Sequence, residues 1–364
     1  MAVIPVSPTT DLSALIASDN VSPGDVLVLE DGEYFQTVDV TKDNLRLVAK
    51  GNKAVFNGKS ILEVAFILNG VTGVEVSGIS IMHYRLNGIR IQEGGGHRIV
   101  ANKINRILDT GFAVISSGEN LLWKNEICRT FIGVQLSFGS VNNRILENLA
   151  ALCILDGFEI FSQNDSGNVF IGNTAINNGG FGMHCAGTNH LLVDNRLAGN
   201  AFGGLGFEPG SNSIAIGNVL EDNRNRGGFL FAQESLFFGG NNVKANLRDG
   251  IAVIGINNGI FQDNIFKFNK DYGITLHPTT EANFVFDNKL RCNLPANIRD
   301  LSGGNNYLDN REEPCKPHEL EAEDCRICLK HFLDSIAGER PKQGHQYWVS
   351  VAGDTGGEYS ATDR

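Results

Sequence analysis

The chain has 364 residues, 41 of them acidic and 30 basic, for a formal net charge of −11. That balance disfavours a sequence-independent grip on nucleic-acid phosphates or adhesion to an anionic membrane surface, and no apolar stretch approaches the ~20 residues that span a bilayer. Glycine fills 43 positions, well above the ~7% usual in globular chains, yet glycine and proline together stay below the ~25% typical of disordered low-complexity sequence.

From the N-terminus, the first twenty residues lack a positive segment followed by an apolar run, so they do not read as a Sec signal. The expectation is a cytoplasmic protein, or an extracellular or cell-surface one if an export signal has been removed. Cys128, Cys153, Cys185, Cys292, Cys315, Cys325 and Cys328 are odd in number and irregularly spaced. They fit reduced thiols better than disulfides.

A repeat dominates the middle of the chain. A glycine followed by an apolar, a variable and another apolar residue recurs at Gly88, Gly111, Gly133, Gly157, Gly182, Gly204, Gly228, Gly250 and Gly273, every 22 to 25 residues. In phase with it run Asn102, Asn125, Asn148, Asn173, Asn195, Asn218, Asn241, Asn264 and Asn288. A further asparagine stands five residues after most of these, at Asn178, Asn200, Asn223, Asn246, Asn269 and Asn293. The runs are short and alternating, with no room for a helix between turns, so each repeat holds two or three strands and tight turns. Asparagine tolerates left-handed backbone, and identical amides stacked coil on coil form a hydrogen-bonded ladder. Stacking also joins the apolar faces into one core, with Ile89 and Ile91 over Phe112 and Val114, then Val134 and Leu136, Phe158 and Ile160, and Met183 and Cys185.

These features predict an all-β, parallel β-helix solenoid. Residues 1–60 would hold an N-terminal cap and the first coils, 61–310 the regular coils, and 311–364 a C-terminal helical or irregular cap and tail. In that last part the apolar spacing of Leu320, Ile327, Leu329, Phe332, Leu333 and Ile336 reads as an amphipathic helix.

The pattern over residues 20–310 resembles the right-handed parallel β-helix repeat proteins, the broad superfamily sharing the pectate lyase fold. The resemblance implies that a short amphipathic helix, near Asp11 to Ala17, plugs the open N-terminal end of the core, before a Pro-Gly-Asp turn. It also implies carbohydrate chemistry as the commonest use of the fold. The catalytic strings of pectate lyases, polygalacturonases, alginate epimerases and pectinesterases are absent, so the resemblance assigns no active site.

Within each repeat the residue between the two apolar ones faces outward. That column reads Arg90, Ala113, Gln135, Glu159, His184, Gly206, Leu230, Ala252 and Thr275. Two residues on it reads Gln92, Ile115, Ser137, Phe161, Ala186, Glu208, Ala232, Ile254 and His277. Polar groups concentrate on the middle coils, where Glu159 and His184 fall on rungs ~4.8 Å apart and Glu208 one rung further. A carboxylate beside an imidazole raises the imidazole pKa, and two carboxylates near ~9 Å suit inverting glycoside hydrolysis.

Glu159 and His184 are therefore the acid/base candidates and Glu208 the second carboxylate. Arg90, Gln92, Gln135, Ser137, Phe161 and Asp156 are substrate-binding candidates, with Asp109, Asp249 and Asp271 as further acids at strand ends. The expected partner is a polysaccharide or other glycan, worked on by a lyase, epimerase or hydrolase, and a homo-oligomer is compatible with the pattern. The rival expectation is a non-catalytic surface, spore-coat or assembly module. No metal site is expected. Calcium on acidic turns stays open, although no D-x-D-x-D-G loop supports it, and the zinc-compatible spacing Cys325, Cys328, His331 drifts around a helix face.

Overall fold

The computed structural model describes residues 1–315, which wind into a right-handed parallel β-helix built from three parallel sheets of 14, 13 and 13 strands. Most strands are only three residues long, too short to be stable singly. Their stability comes from pairing with the same strand of the coils before and after. In one sheet Ile104, Ile127, Ala150, Ala175, Leu197, Leu220, Val243, Phe266 and Leu290 stack in register and are buried, filling the interior from end to end.

The repeating glycine has a steric cause. A Cβ at Gly88 would stand 2.7 Å from the Gly111 carbonyl oxygen, and the same clash recurs at Gly111, Gly157, Gly182 and Gly204. Only glycine lets neighbouring coils close to rung distance at this corner. By this criterion the repeat glycine of the seventh copy is Gly227, because Gly204 meets the Gly227 carbonyl. Pairing agrees: Leu205 faces Gly228, Gly206 faces Phe229 and Phe207 faces Leu230. The outward residues there are consequently Phe229 and Phe231, not Leu230 and Ala232, and Leu230 is fully buried. With two consecutive glycines both registers keep the repeat length, and the core selects between them.

The asparagine series are internal ladders. Asn125 Oδ1 accepts from the Asn102 backbone N–H at 2.9 Å and from Asn102 Nδ2 at 3.1 Å, while Asn125 Nδ2 donates to the Ile99 carbonyl at 2.8 Å and to Asn148 Oδ1 at 2.9 Å. The pattern continues through Asn288 to Asn310, and the series from Asn178 to Asn293 repeats it at the next corner. The left-handed residue is the one before the ladder asparagine, for example Ala101, Lys124, Glu147 and Asp194. A third ladder escaped the sequence reading because its members differ: His97, Asn120, Asn143, Asn168 and His190.

At the N-terminal end Leu12–Ala17 is helical, capped by the Asp11 carboxylate accepting from the Ala14 N–H at 3.0 Å, with Leu12 and Ile16 buried against the first coils. Strand Val3–Val6 already pairs with Val26–Leu29. At the other end the coil repeat runs on through Arg311–Glu313. Cys292 and Cys315, one coil apart, form a disulfide, which corrects the expectation that all the cysteines are reduced. Irregular spacing along the chain concealed a pair that stacking brings to a Cα separation of 4.5 Å. Cys153 and Cys185 are buried free thiols. The C-terminal helix and the Cys325, Cys328, His331 spacing lie outside the described residues.

Candidate functional site

On the sheet that carries the repeat glycines, Arg90, Ala113, Gln135, Glu159, His184 and Gly206 occupy consecutive rungs of one outward column. Glu159 and His184 are thus neighbours, as the spacing predicts. Their partners are not each other. His184 Nδ1 lies 3.3 Å from Asp156 Oδ2 and Nε2 lies 3.2 Å from Glu208 Oε1, so the imidazole bridges two carboxylates. Gln135 Nε2 donates to Glu159 Oε2 at 2.6 Å.

Each side chain is held by a local device. Asp156 sits in the turn before Gly157 and lies back over the sheet, where its Oδ1 accepts the Phe181 N–H. Glu208 owes its position to a β-bulge: Cys185 pairs with Phe207 but Gly187 pairs with Gly210, so one strand carries an extra residue. A bulge of this kind re-aims a side chain, and here it turns Glu208 back toward His184. Gln233, fully buried, donates from Nε2 to the Glu208 carbonyl and fixes the bulge. Phe181 packs its ring 4.9 Å from the imidazole, and both rings lie over Gly206, where a Cβ would stand 3.0 Å from His184 Cδ2 and 3.1 Å from Phe181 Cζ.

Burial disfavours the imidazolium of His184, but the hydrogen bonds it donates to the Asp156 and Glu208 carboxylates outweigh it and raise the pKa to about 10. At neutral pH the group is a cation. The Glu159 carboxyl, only 7% exposed, is pushed above the ordinary range by burial first and then by the Asp156 charge, against the opposing Gln135 hydrogen bond and His184 charge. Burial also raises Asp109. The arrangement therefore pairs a fixed positive charge with a carboxyl inclined to keep its proton. One ligand atom each from Asp156, Glu159 and His184 lie within 4.8 Å of one another, but both imidazole nitrogens already face carboxylates.

Of the residues expected to bind substrate, Asp156 belongs to the centre itself and Gln135 holds Glu159. Phe161 is 57% exposed and pairs with Phe138 at 6.3 Å, forming an apolar platform on one side of the centre. Ser137, in register with Ile115, is buried. Arg90 is three rungs from Glu159, and Gln92 lies on that same distant rung. Thr275 is likewise buried and donates to Asp249 Oδ1 at 2.8 Å. Phe181 and Gln233 were missed. Neither has a signal in the repeat, since one precedes the glycine and the other follows a bulge.

Residues 48–196 and 187–312 match the family profile described as right handed beta helix region, and the chain belongs to that family. No curated protein matches the sequence. Among solved structures, the Azotobacter vinelandii mannuronan C-5 epimerase AlgE6 A-module is similar with a TM-score of 0.71 at 14% identity, over 84% of this chain and 95% of that one. The periplasmic alginate epimerase AlgG superposes with a TM-score of 0.55 at 14% identity, over 85% of this chain and 83% of that one. The Streptococcus pneumoniae surface adhesin PfbA does so with 0.60 at 12% identity, over 76% and 86%. At these identities the likeness is one of fold.

Proposed function

We propose that the chain is a carbohydrate-active enzyme that holds a polysaccharide along the outward face of its middle coils and acts on it by proton transfer, as a lyase, epimerase or hydrolase. The observation that carries this is the buried Glu159 carboxyl with a raised pKa, one rung from an imidazolium fixed between Asp156 and Glu208. A buried carboxyl whose pKa is raised holds its proton more readily than an ordinary one, which suits it to general-acid work. Glu159 delivers a proton to the departing or rearranging centre, and His184 offsets negative charge that develops on substrate oxygen. Glu208, with 24% of its side chain exposed, is the carboxylate open to an incoming water or substrate proton. The original acid/base pairing of Glu159 with His184 is thereby divided into an acid and an electrostatic group. The epimerase neighbours share the fold on which this chemistry would run, and the Cys292–Cys315 disulfide supports action outside the reducing cytosol.

A second reading, glycan binding without turnover, draws support from the exposed Phe138 and Phe161 pair, a platform for sugar faces that requires no acid. Glu159→Gln separates the two. On a responsive polysaccharide the enzyme reading expects turnover to fall by ~10² or more with an unchanged melt. If no glycan yields reducing ends, unsaturated product or epimerised sugar, while Phe161→Ala weakens retention on a glycan column, the binding reading replaces it.

A further inference from the structure

Past the acid centre, on the same face, lie three nitrogen-bearing side chains with donor groups left over. Arg226 stands two rungs beyond Phe181. Its Nε donates to Asp249 Oδ2 at 3.1 Å, and Asp249 Oδ1 accepts from Thr275 Oγ1 at 2.8 Å. The carboxylate is therefore engaged on both oxygens, while the two Nη groups of Arg226 have no hydrogen-bond acceptor among the described residues, although 28% of the side chain is exposed. Arg299, one rung beyond Thr275, is exposed and lies over the Tyr272 ring at 5.2 Å, again with no hydrogen-bond acceptor among the described residues.

Two residues after Thr275 comes His277. Burial first, then the charges of Arg226 and Arg299, hold its imidazole below the ordinary value against the opposing Asp249, so both guanidiniums act on this one ring. Its ring nitrogens also have no hydrogen-bond partner among the described residues. Ala252, on the rung between Phe229 and Thr275, keeps the floor low.

We propose that Arg226, His277 and Arg299 form a subsite for the carboxylate or sulfate of an acidic sugar residue, and hence that the polysaccharide of the preceding reading, on which this inference rests, is polyanionic. Guanidinium groups with free Nη edges match such oxyanions bidentately, and a neutral imidazole adds a directed donor. A chain of net charge −11 repels a polyanion at long range, so capture requires cations placed locally, within the ~8 Å over which salt leaves them effective. Thr275 and Arg299 lie four and five rungs from His184, or roughly 19 and 24 Å at ~4.8 Å per rung. The subsite thus binds sugars remote from the reacting one and sets specificity.

The test is affinity electrophoresis at low ionic strength on alginate, polygalacturonate, their carboxyl-reduced neutral counterparts and a sulfated galactan. The parent is expected to be retarded by at least one acidic glycan and not by the reduced form. Arg299→Gln should weaken that retardation about tenfold, the loss of one charge-assisted contact, and the Arg226→Gln/Arg299→Gln pair further, whereas Lys103→Gln, which removes an exposed charge on another sheet, keeps parental retardation. Retardation by the uronates alone assigns the subsite to carboxylate, and by the galactan alone to sulfate. Equal retardation by acidic and reduced glycans, no effect of Arg299→Gln, or no retardation by any acidic glycan would overturn the proposal. Glu159-dependent turnover of a neutral glycan would leave the catalytic reading standing without the subsite. Arg299-dependent retention without turnover would do the reverse.

Discussion

His184 and His190 stand six residues apart on one coil and titrate in opposite directions. His190 faces the interior ladder, where Nδ1 accepts from the Asn168 N–H at 3.3 Å and Nε2 lies 2.9 Å from the Ala186 carbonyl. Burial lowers its pKa to about 4, against the opposing Ala186 bond. His184 is also desolvated, yet its two carboxylate neighbours carry it to about 10. Inside the solenoid, polar groups meet neutral polar partners and serve stability. On the middle outward face they meet charges. Burial alone thus does not decide a protonation state; the partners that topology supplies do.

The largest effect expected from this contrast is on stability, at His184. His184→Ala leaves Asp156, almost wholly buried, without its counter-charge, and should cost about 3 to 5 kcal/mol, the usual penalty for breaking a buried pair. Glu159→Gln on the neighbouring rung replaces a carboxyl already inclined to be neutral, and its denaturant midpoint should match the parent. Equal costs at the two positions would mean that the centre is a single structural network and the functional contrast is void.

Next come the interior ladders. Asn195→Ala and Asn218→Ala each remove an amide that accepts two hydrogen bonds and donates two more, and should destabilise by ~1 to 3 kcal/mol in urea unfolding. Melts that overlay the parent would show the amides to be solvated.

The smallest effect is in the pH dependence of stability. His97, also lowered to about 4 chiefly by burial, and His190 bind protons more readily when unfolded. Their contribution is complete above pH ~6.5 and is lost as pH falls toward 4. His184 binds its proton more tightly when folded, so its contribution is complete below pH ~6.5 and is lost as pH rises through about 10. His190→Asn should flatten the acid side of a stability profile without changing the alkaline side. Flattening on the alkaline side would reverse the assignment.

The repeat made the solenoid legible because glycine, asparagine and the inward apolar pairs answer local demands: a close approach of coils, a corner amide, an alternating strand. Glu159, His184 and Glu208 were legible for the same reason, as positions of an outward column. Asp156 as a member of the centre, Gln233 behind it and the Arg226, His277, Arg299 grouping were not, since a turn, a bulge and a glycine doublet interrupt the column that would have revealed them.

The sequence by itself determined the coil, its period and the faces of its strands, because each depends on residues within one repeat and their equivalents in the next. Only the tertiary structure decided that His184 bridges Asp156 and Glu208, that Leu230 rather than Phe229 enters the core, and that Cys292 meets Cys315. Those outcomes depend on contacts between residues about one repeat apart, where a shift of a single residue reverses the face a side chain presents.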